Sequence, residues 1–222
     1  MDKVSLRAVA AEFLGTGFLL AGVVGSGIMA QSLTDDVGLQ LLQNAFATAA
    51  VLTALILAFA GWSGAHFNPA VTLAAWILGA IDARSAIRYV LAQVVGGAGG
   101  VVVANLMFAL PAVEWSTTDR SSSHLLVGEA VATIGLVLVI FATVRSGNGE
   151  MVAFAVGGYI AGAYYFTSST SFANPAVTIA RTASDTFAGI APSSAPAFVG
   201  VQVLAAGVGA LVIRLLDGAE PG

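Results

Sequence analysis

The sequence predicts an all-α membrane protein, with six transmembrane helices plus two re-entrant half-helices arranged as an inverted repeat. Three observations lead there. The 222 residues are 58% hydrophobic and only 9% charged, whereas a soluble domain carries about a quarter charged residues. The apolar residues gather into six runs long enough to cross a bilayer. The pentapeptide Asn-Pro-Ala-Val-Thr occurs twice, at Asn68–Thr72 and Asn174–Thr178, once in each half of the chain.

A spanning helix needs about 20 apolar residues, and segments near 8–30, 40–60, 86–109, 125–145, 151–167 and 195–216 meet that length. The first follows Asp2, Lys3 and Arg7 and has no clear cleavage site, so it reads as a retained span rather than a signal peptide. The eight basic residues orient the chain. Six crossings place Lys3, Arg7, Arg84, Arg88, Arg145 and Arg214 on one side. Arg120 and Arg181 fall on the other, beside Asp35, Asp36, Glu114, Asp119 and Asp185. The positive-inside rule puts both termini in the cytoplasm of a cell in whose inner membrane the chain resides.

The two Asn-Pro-Ala segments remain. One follows span two on the inside and the other follows span five on the outside. Each carries only about ten apolar residues, roughly half the hydrocarbon thickness at about 1.5 Å per residue. Two half-helices dipping in from opposite faces fit that length. The halves match further. AEFLGTGFLL (Ala11–Leu20) parallels GEAVATIGLV (Gly128–Val137), with Glu12 and Glu129 in register. LAQVVGGAGG (Leu91–Gly100) parallels GVQVLAAGVG (Gly200–Gly209), with Gln93 and Gln202 in register. One domain, residues 1–222, is therefore expected to hold inverted repeats near 6–110 and 124–216. Three spans per half reverse the second copy and put a central site at the midplane.

Asn is a strong N-cap and Pro is favoured at the first helical position. Asn68-Pro69-Ala70 and Asn174-Pro175-Ala176 are thus helix starts. The residues ahead of them, 63–67 and 167–173, are expected to be non-helical at membrane depth. Such backbone is tolerated only where it is buried in protein or lines a watery path. Two half-helices meeting tip to tip turn positive dipole ends to the centre. The asparagine amides are then placed to donate to a passing oxygen.

Composition also excludes. A net charge of −4 with eight basic residues suggests no nucleic-acid partner. There is no cysteine, hence no disulfide or thiolate chemistry. No His or carboxylate cluster has metal-ligand spacing. No cofactor is expected, and no nucleophile–base pair or phosphate loop suggests an enzyme.

At this point AEFLGTG, SGAHFNPAVT (Ser63–Thr72), the glutamine-then-glycine pattern of span three and the second Asn-Pro-Ala together resemble the aquaporin and aquaglyceroporin family, over nearly the whole chain. The resemblance implies a homotetramer in the lipid bilayer, with one pore per subunit passing small neutral solutes down their gradient. It implies that Glu12 and Glu129 are buried and brace the re-entrant loops; for Glu12 the alternative is a cytoplasmic helix-end charge. It also implies four selectivity-filter positions, carried over by spacing. These are Thr48, 20 residues before the first Asn; Gly162, 12 before the second; Ser171, three before it; and Val177, three after it, where the family usually has Arg. None of the four carries a ring or a guanidinium, so a wide filter is expected, favouring bulky neutral hydroxylated solutes. NPAVTIAR with TSSTSFANPAV resembles bacterial aquaporins associated with arsenic resistance, which implies passage of arsenous acid and its methylated trivalent forms.

Smaller features carry alternatives. Arg181 lies one helical turn beyond Val177 on the same face. It either offers its guanidinium to the outer vestibule or pairs with Asp185. His66 sits beside the pore as a hydrogen-bonding loop residue or as a pH-responsive gate. His124 is expected in solvent. Tyr164, Tyr165 and Phe166 read as an interfacial belt, with one ring free to face the vestibule. Gly96–Gly100 reads as a helix-packing stretch, and residues 217–222 as a polar tail. Two competing functions remain: a general water and glycerol channel, and an ion-coupled secondary transporter, whose driving ion would need Glu12 or Glu129.

Overall fold

The computed structural model describes residues 5–218; Lys3 and the last four residues of the expected tail lie outside it. Eight α-helices follow in order: α1 (Leu6–Leu33), α2 (Val37–Ser63), α3 (Pro69–Ile77), α4 (Ala83–Met107), α5 (Ser123–Arg145), α6 (Val152–Phe166), α7 (Pro175–Ala180) and α8 (Ala195–Asp217). Local chemistry sets their starts. Ser5, Asp36 and Asp82 cap α1, α2 and α4, each accepting from a backbone N–H with its side-chain oxygen. Gly64, at φ +82°, ends α2 in the left-handed region. The polar tail begins later than expected: Asp217 is helical and pairs with Arg145.

Five helices, α1, α2, α4, α5 and α8, are long and apolar enough to cross a membrane. The fifth span is shorter than its apolar run. α6 has 15 residues, about 22 Å against a core of about 30 Å. A 3₁₀ turn, Gly149–Met151, precedes it. It stops at Thr167, whose hydroxyl bonds back to the Ala163 carbonyl at 2.6 Å while its backbone turns extended.

α1 packs on α4 and α2, α5 on α8 and α6, and α2 on α6, joining the halves. The half-helices cross over: α3 lies against α8, and α7 against α4. Side chains at Gly96 and Gly100 would collide with the carbonyls of Phe13 and Gly17, so α1 and α4 meet backbone to backbone. The outward faces are apolar, with Phe18, Phe46, Trp62, Leu91 and Leu204 exposed. In water such a surface is untenable; in lipid it is ordinary.

The connection between α4 and α5 forms a strap over the second re-entrant segment. Glu114 N–H donates to the Ala183 carbonyl at 3.1 Å, Ser116 N–H to Thr182 at 2.9 Å, and Ala191 N–H returns to Thr118 at 2.7 Å. Asp119 accepts from the Ser121 and Ser194 hydroxyls, at 3.0 and 2.9 Å. These bonds hold its carboxyl below the usual value, Ser121 first and then Ser194.

Candidate functional site

The two half-helices meet at their N-termini and hold each other. The Asn68 side-chain oxygen accepts from Ala70 N–H at 2.8 Å, and its Nδ2 donates to the Ala173 carbonyl at 2.7 Å. Asn174 mirrors this. Its oxygen accepts from Ala176 and Val177 at 3.0 and 3.3 Å, and its Nδ2 donates to the Phe67 carbonyl at 2.8 Å. Each amide NH₂ has two protons, so each keeps one for the cavity that both asparagines line. Pro69 and Pro175 occupy the first helical turns, and Ala70 and Ala176 are wholly buried between the tips.

The segments ahead of the asparagines are strained in matching places. Ala65 and Phe67 have φ +50° and +48°; Ser171 and Ala173 have φ +55° and +46°. Non-glycine residues there cost about 1–3 kcal/mol each and persist only when their surroundings over-determine them. Two fully buried carboxylates do so. Glu12 accepts from the Ser63 hydroxyl (2.6 Å), His66 N–H (2.9 Å), Phe67 N–H (2.7 Å) and Gln93 Nε2 (2.7 Å). Glu129 accepts from Phe172 N–H (2.8 Å), Ala173 N–H (2.8 Å) and Gln202 Nε2 (2.6 Å). Glu12 is thus inside the protein and not a charge at a solvated helix end.

Sequence reading put Gln93 and Gln202 in register without giving them a task, and it passed over Thr72 and Thr178. The structure joins all four. Gln93 Nε2 reaches the Thr72 hydroxyl at 3.0 Å, and Gln202 Nε2 reaches Thr178 at 2.9 Å. The threonine repeated at the end of both pentapeptides was the available signal. His66 Nδ1 lies 3.1 Å from the Thr72 hydroxyl, and its ring meets Tyr89 edge-on at 5.4 Å. His124 is exposed.

A cavity of about 580 Å³ runs past both asparagines. Arg145, Gly149 and Glu150 line one end; Thr48, Tyr164, Ser171 and Arg181 line the other. Between them the wall is largely aliphatic, with Ile56, Leu136, Val156 and Ile160. Of the four filter positions expected from spacing, Thr48, Ser171 and Val177 line this cavity. Gly162 does not, and that expectation is corrected. It is exposed on α6, where a side chain would point toward Phe166. Two residues along a helix is a turn of about 200°, and Tyr164, two residues on, is the side chain that lines the cavity. Its hydroxyl sits 3.1 Å from that of Thr48.

The remaining filter positions carry neither ring nor guanidinium, but of the alternatives left open Tyr164 turns its ring and Arg181 its guanidinium to this end of the cavity. Arg181 is 3% exposed, donates through Nε to the Ala188 carbonyl, and lies 3.5 Å above the Phe172 ring. Asp185 accepts from Thr117 instead, at 2.8 Å from its N–H. Tyr165 and Phe166 face outward, exposed. No group of three or more metal-ligating side chains occurs among the described residues.

The family model for the major intrinsic proteins matches residues 2–151. The aquaglyceroporin AqpS of Rhizobium meliloti (strain 1021) is 46% identical, over 97% of this chain and 92% of its own. The propanediol uptake facilitator PduF of Citrobacter freundii is 32% identical over 54% of this chain and 43% of its own. Aquaporin Z of Photorhabdus laumondii is 38% identical over 41% and 39%. Among solved structures, the aquaglyceroporin from Plasmodium falciparum superposes with a TM-score of 0.75 at 23% identity, covering 96% of each chain.

Proposed function

The chain belongs to the major intrinsic protein family, and from that membership we propose that it passes small uncharged hydroxylated solutes, arsenous acid and its methylated trivalent forms among them. At the coarser level it is an integral membrane channel for small solutes, not an enzyme. The carrying observation is the lumen itself: an aliphatic wall interrupted at its middle by two amide donors and at its outer end by a polar ring. A solute there exchanges water for the spare N–H groups of Asn68 and Asn174 and slides along a stretch of wall that is aliphatic between the charged residues at the two ends. The half-helix dipoles, both positive toward the centre, oppose cations and protons.

Arsenous acid at neutral pH is an uncharged trihydroxy molecule close to glycerol in shape. The aliphatic side chain of Val177 beside the hydroxyls of Thr48, Tyr164 and Ser171 suits both it and its part-apolar methylated forms. Arg181 favours the wider reading too, a general water and glycerol channel, because a guanidinium opposite an aliphatic wall also suits polyols. The similarity to a propanediol uptake facilitator agrees with this. Ion-coupled transport is less well supported: the carboxylates of Glu12 and Glu129, the acids inside the spans, are filled by N–H and O–H donors and are not open to load a driving ion.

The matched bonds of the two halves support inverted repeats over residues 6–110 and 124–216. Family membership supports a homotetramer. Charge asymmetry supports an inner-membrane location with cytoplasmic termini. Stopped-flow light scattering on proteoliposomes with water, glycerol and arsenous acid tests the substrate range. Arsenous acid is expected to permeate without saturation and without dependence on a proton gradient. Water flux with both larger solutes excluded would remove the assignment.

A further inference from the structure

We infer that Arg181 is the specificity-determining cation of this channel, relocated one helical turn outward, and that Phe172 and Arg120 position it. The inference rests on the channel reading and names how that channel discriminates.

α7 lasts six residues and tightens into a 3₁₀ turn, Arg181–Ala183. On the face turned to the lumen Val177 comes first and Arg181 next, four residues later. The first half-helix has Ala75 at the corresponding place, seven residues after its Asn, so the cation is a feature of the outer half alone.

A guanidinium buried without a carboxylate is costly, and here the surroundings explain how it stays. The one ion pair among the described residues is Arg145–Asp217, far away at the other end of the lumen. The Arg181 Nε is taken by the Ala188 carbonyl, and its plane rests on the face of Phe172. Phe172 is fixed twice, by its N–H on Glu129 at 2.8 Å and by edge-on contact with Phe198 at 5.4 Å. The Glu129 carboxylate thus lies one layer behind the cation.

The two terminal nitrogens of Arg181 have no protein acceptor among the described residues, although the side chain lines the cavity. Ser171 lines the same cavity, and its hydroxyl, on a residue 4% exposed, also lacks a partner. Buried polar groups are almost always paired. These are the groups of the outer end that a passing solute can satisfy, and together they recognise a molecule with two or more oxygen acceptors while repelling cations.

Arg120 acts at one remove. It belongs to the strap and is absent from the cavity lining. Its guanidinium lies 5.0 Å from the same Phe172 ring, and its Nε donates at 3.1 Å to Gly189, the neighbour of the carbonyl that holds Arg181. Its N–H binds the Ser194 hydroxyl at 3.0 Å. It therefore pins both the ring and the loop that aim Arg181.

The test compares wild type, Arg181→Ala, Arg181→Lys, Arg120→Ala and Arg120→Lys in proteoliposomes, reading methylammonium, glycerol and water permeability, with thermal unfolding in detergent to verify folding. Arg181→Ala is expected to raise the methylammonium-to-water ratio about tenfold, the size of a 1.4 kcal/mol change, and to lower the glycerol-to-water ratio. Arg181→Lys keeps the cation barrier and loses the glycerol preference. Arg120→Ala shifts both ratios in the direction of Arg181→Ala, and Arg120→Lys restores them. Wild-type ratios in folded Arg181→Ala overturn the relocation while the channel reading stands. Wild-type flux no greater than that of protein-free vesicles overturns the channel reading itself.

Discussion

Glu129 illustrates how much a single side chain organises. Its two oxygens accept two adjacent backbone N–H groups and one glutamine amide, and those N–H groups belong to a segment with three left-handed non-glycine residues, Thr170, Ser171 and Ala173. Glu129→Gln turns one acceptor into a donor facing a donor. A buried unsatisfied group costs about 1–3 kcal/mol, so a clear drop in the unfolding temperature in detergent is expected, with a second readout in flux because Phe172 carries Arg181. An unchanged unfolding temperature would mean that the segment holds its shape without the carboxylate. The register of Glu12 with Glu129 was legible because it lies in two alignable helices. The misplacement of Gly162 has the opposite origin: a residue count that crosses the non-helical 167–173 carries no helical phase, and only the course of the backbone shows that Tyr164 faces inward.

At the scale of elements, the contact between α1 and α4 depends on missing side chains. A methyl group at Gly100 would strike the Gly17 carbonyl, and neither helix can retreat without disturbing Glu12 and Gln93, which join the same pair at 2.7 Å. Gly100→Ala is expected to destabilise by about 1–3 kcal/mol, as overpacking does. Denaturation in detergent measures it; Gly99→Ala, where a methyl meets open space, serves as the neutral comparison. The glycine pattern made this contact legible in the sequence. The strap between α4 and α5 was not legible. Residues 109–122 have no periodicity to read, and their partners at 182–194 are brought to them only by the fold.

For the whole molecule, the half-helices tie the halves together by reciprocal amide bonds and by packing each against the other half's last span, α3 on α8 and α7 on α4. The orientation of that assembly in the bilayer has a simple check, because the chain has no cysteine. A single cysteine at Thr117, exposed on the strap, is expected to react with an impermeant maleimide added outside intact cells. One at Ser146, exposed after α5, is expected to react only once the membrane is broken. The reverse pattern would invert the orientation read from the basic residues.

Sequence alone determined the architecture: six spans, two half-helices and their pairing across the halves. Those features depend on hydrophobic length, helix-start chemistry and repetition, all of which are local and written in chain order. The tertiary structure decided what the lumen presents. Whether Arg181 faced Asp185 or the cavity, whether Gly162 or Tyr164 lined it, and which carbonyls held the cation depended on side chains from α2, α6, α7 and the strap converging at one point. Their distances apart along the chain carry no information about that convergence. The reason is physical: a helix start is set by the few residues around it, whereas a buried charge is set by whatever the rest of the fold brings within about 4 Å of it.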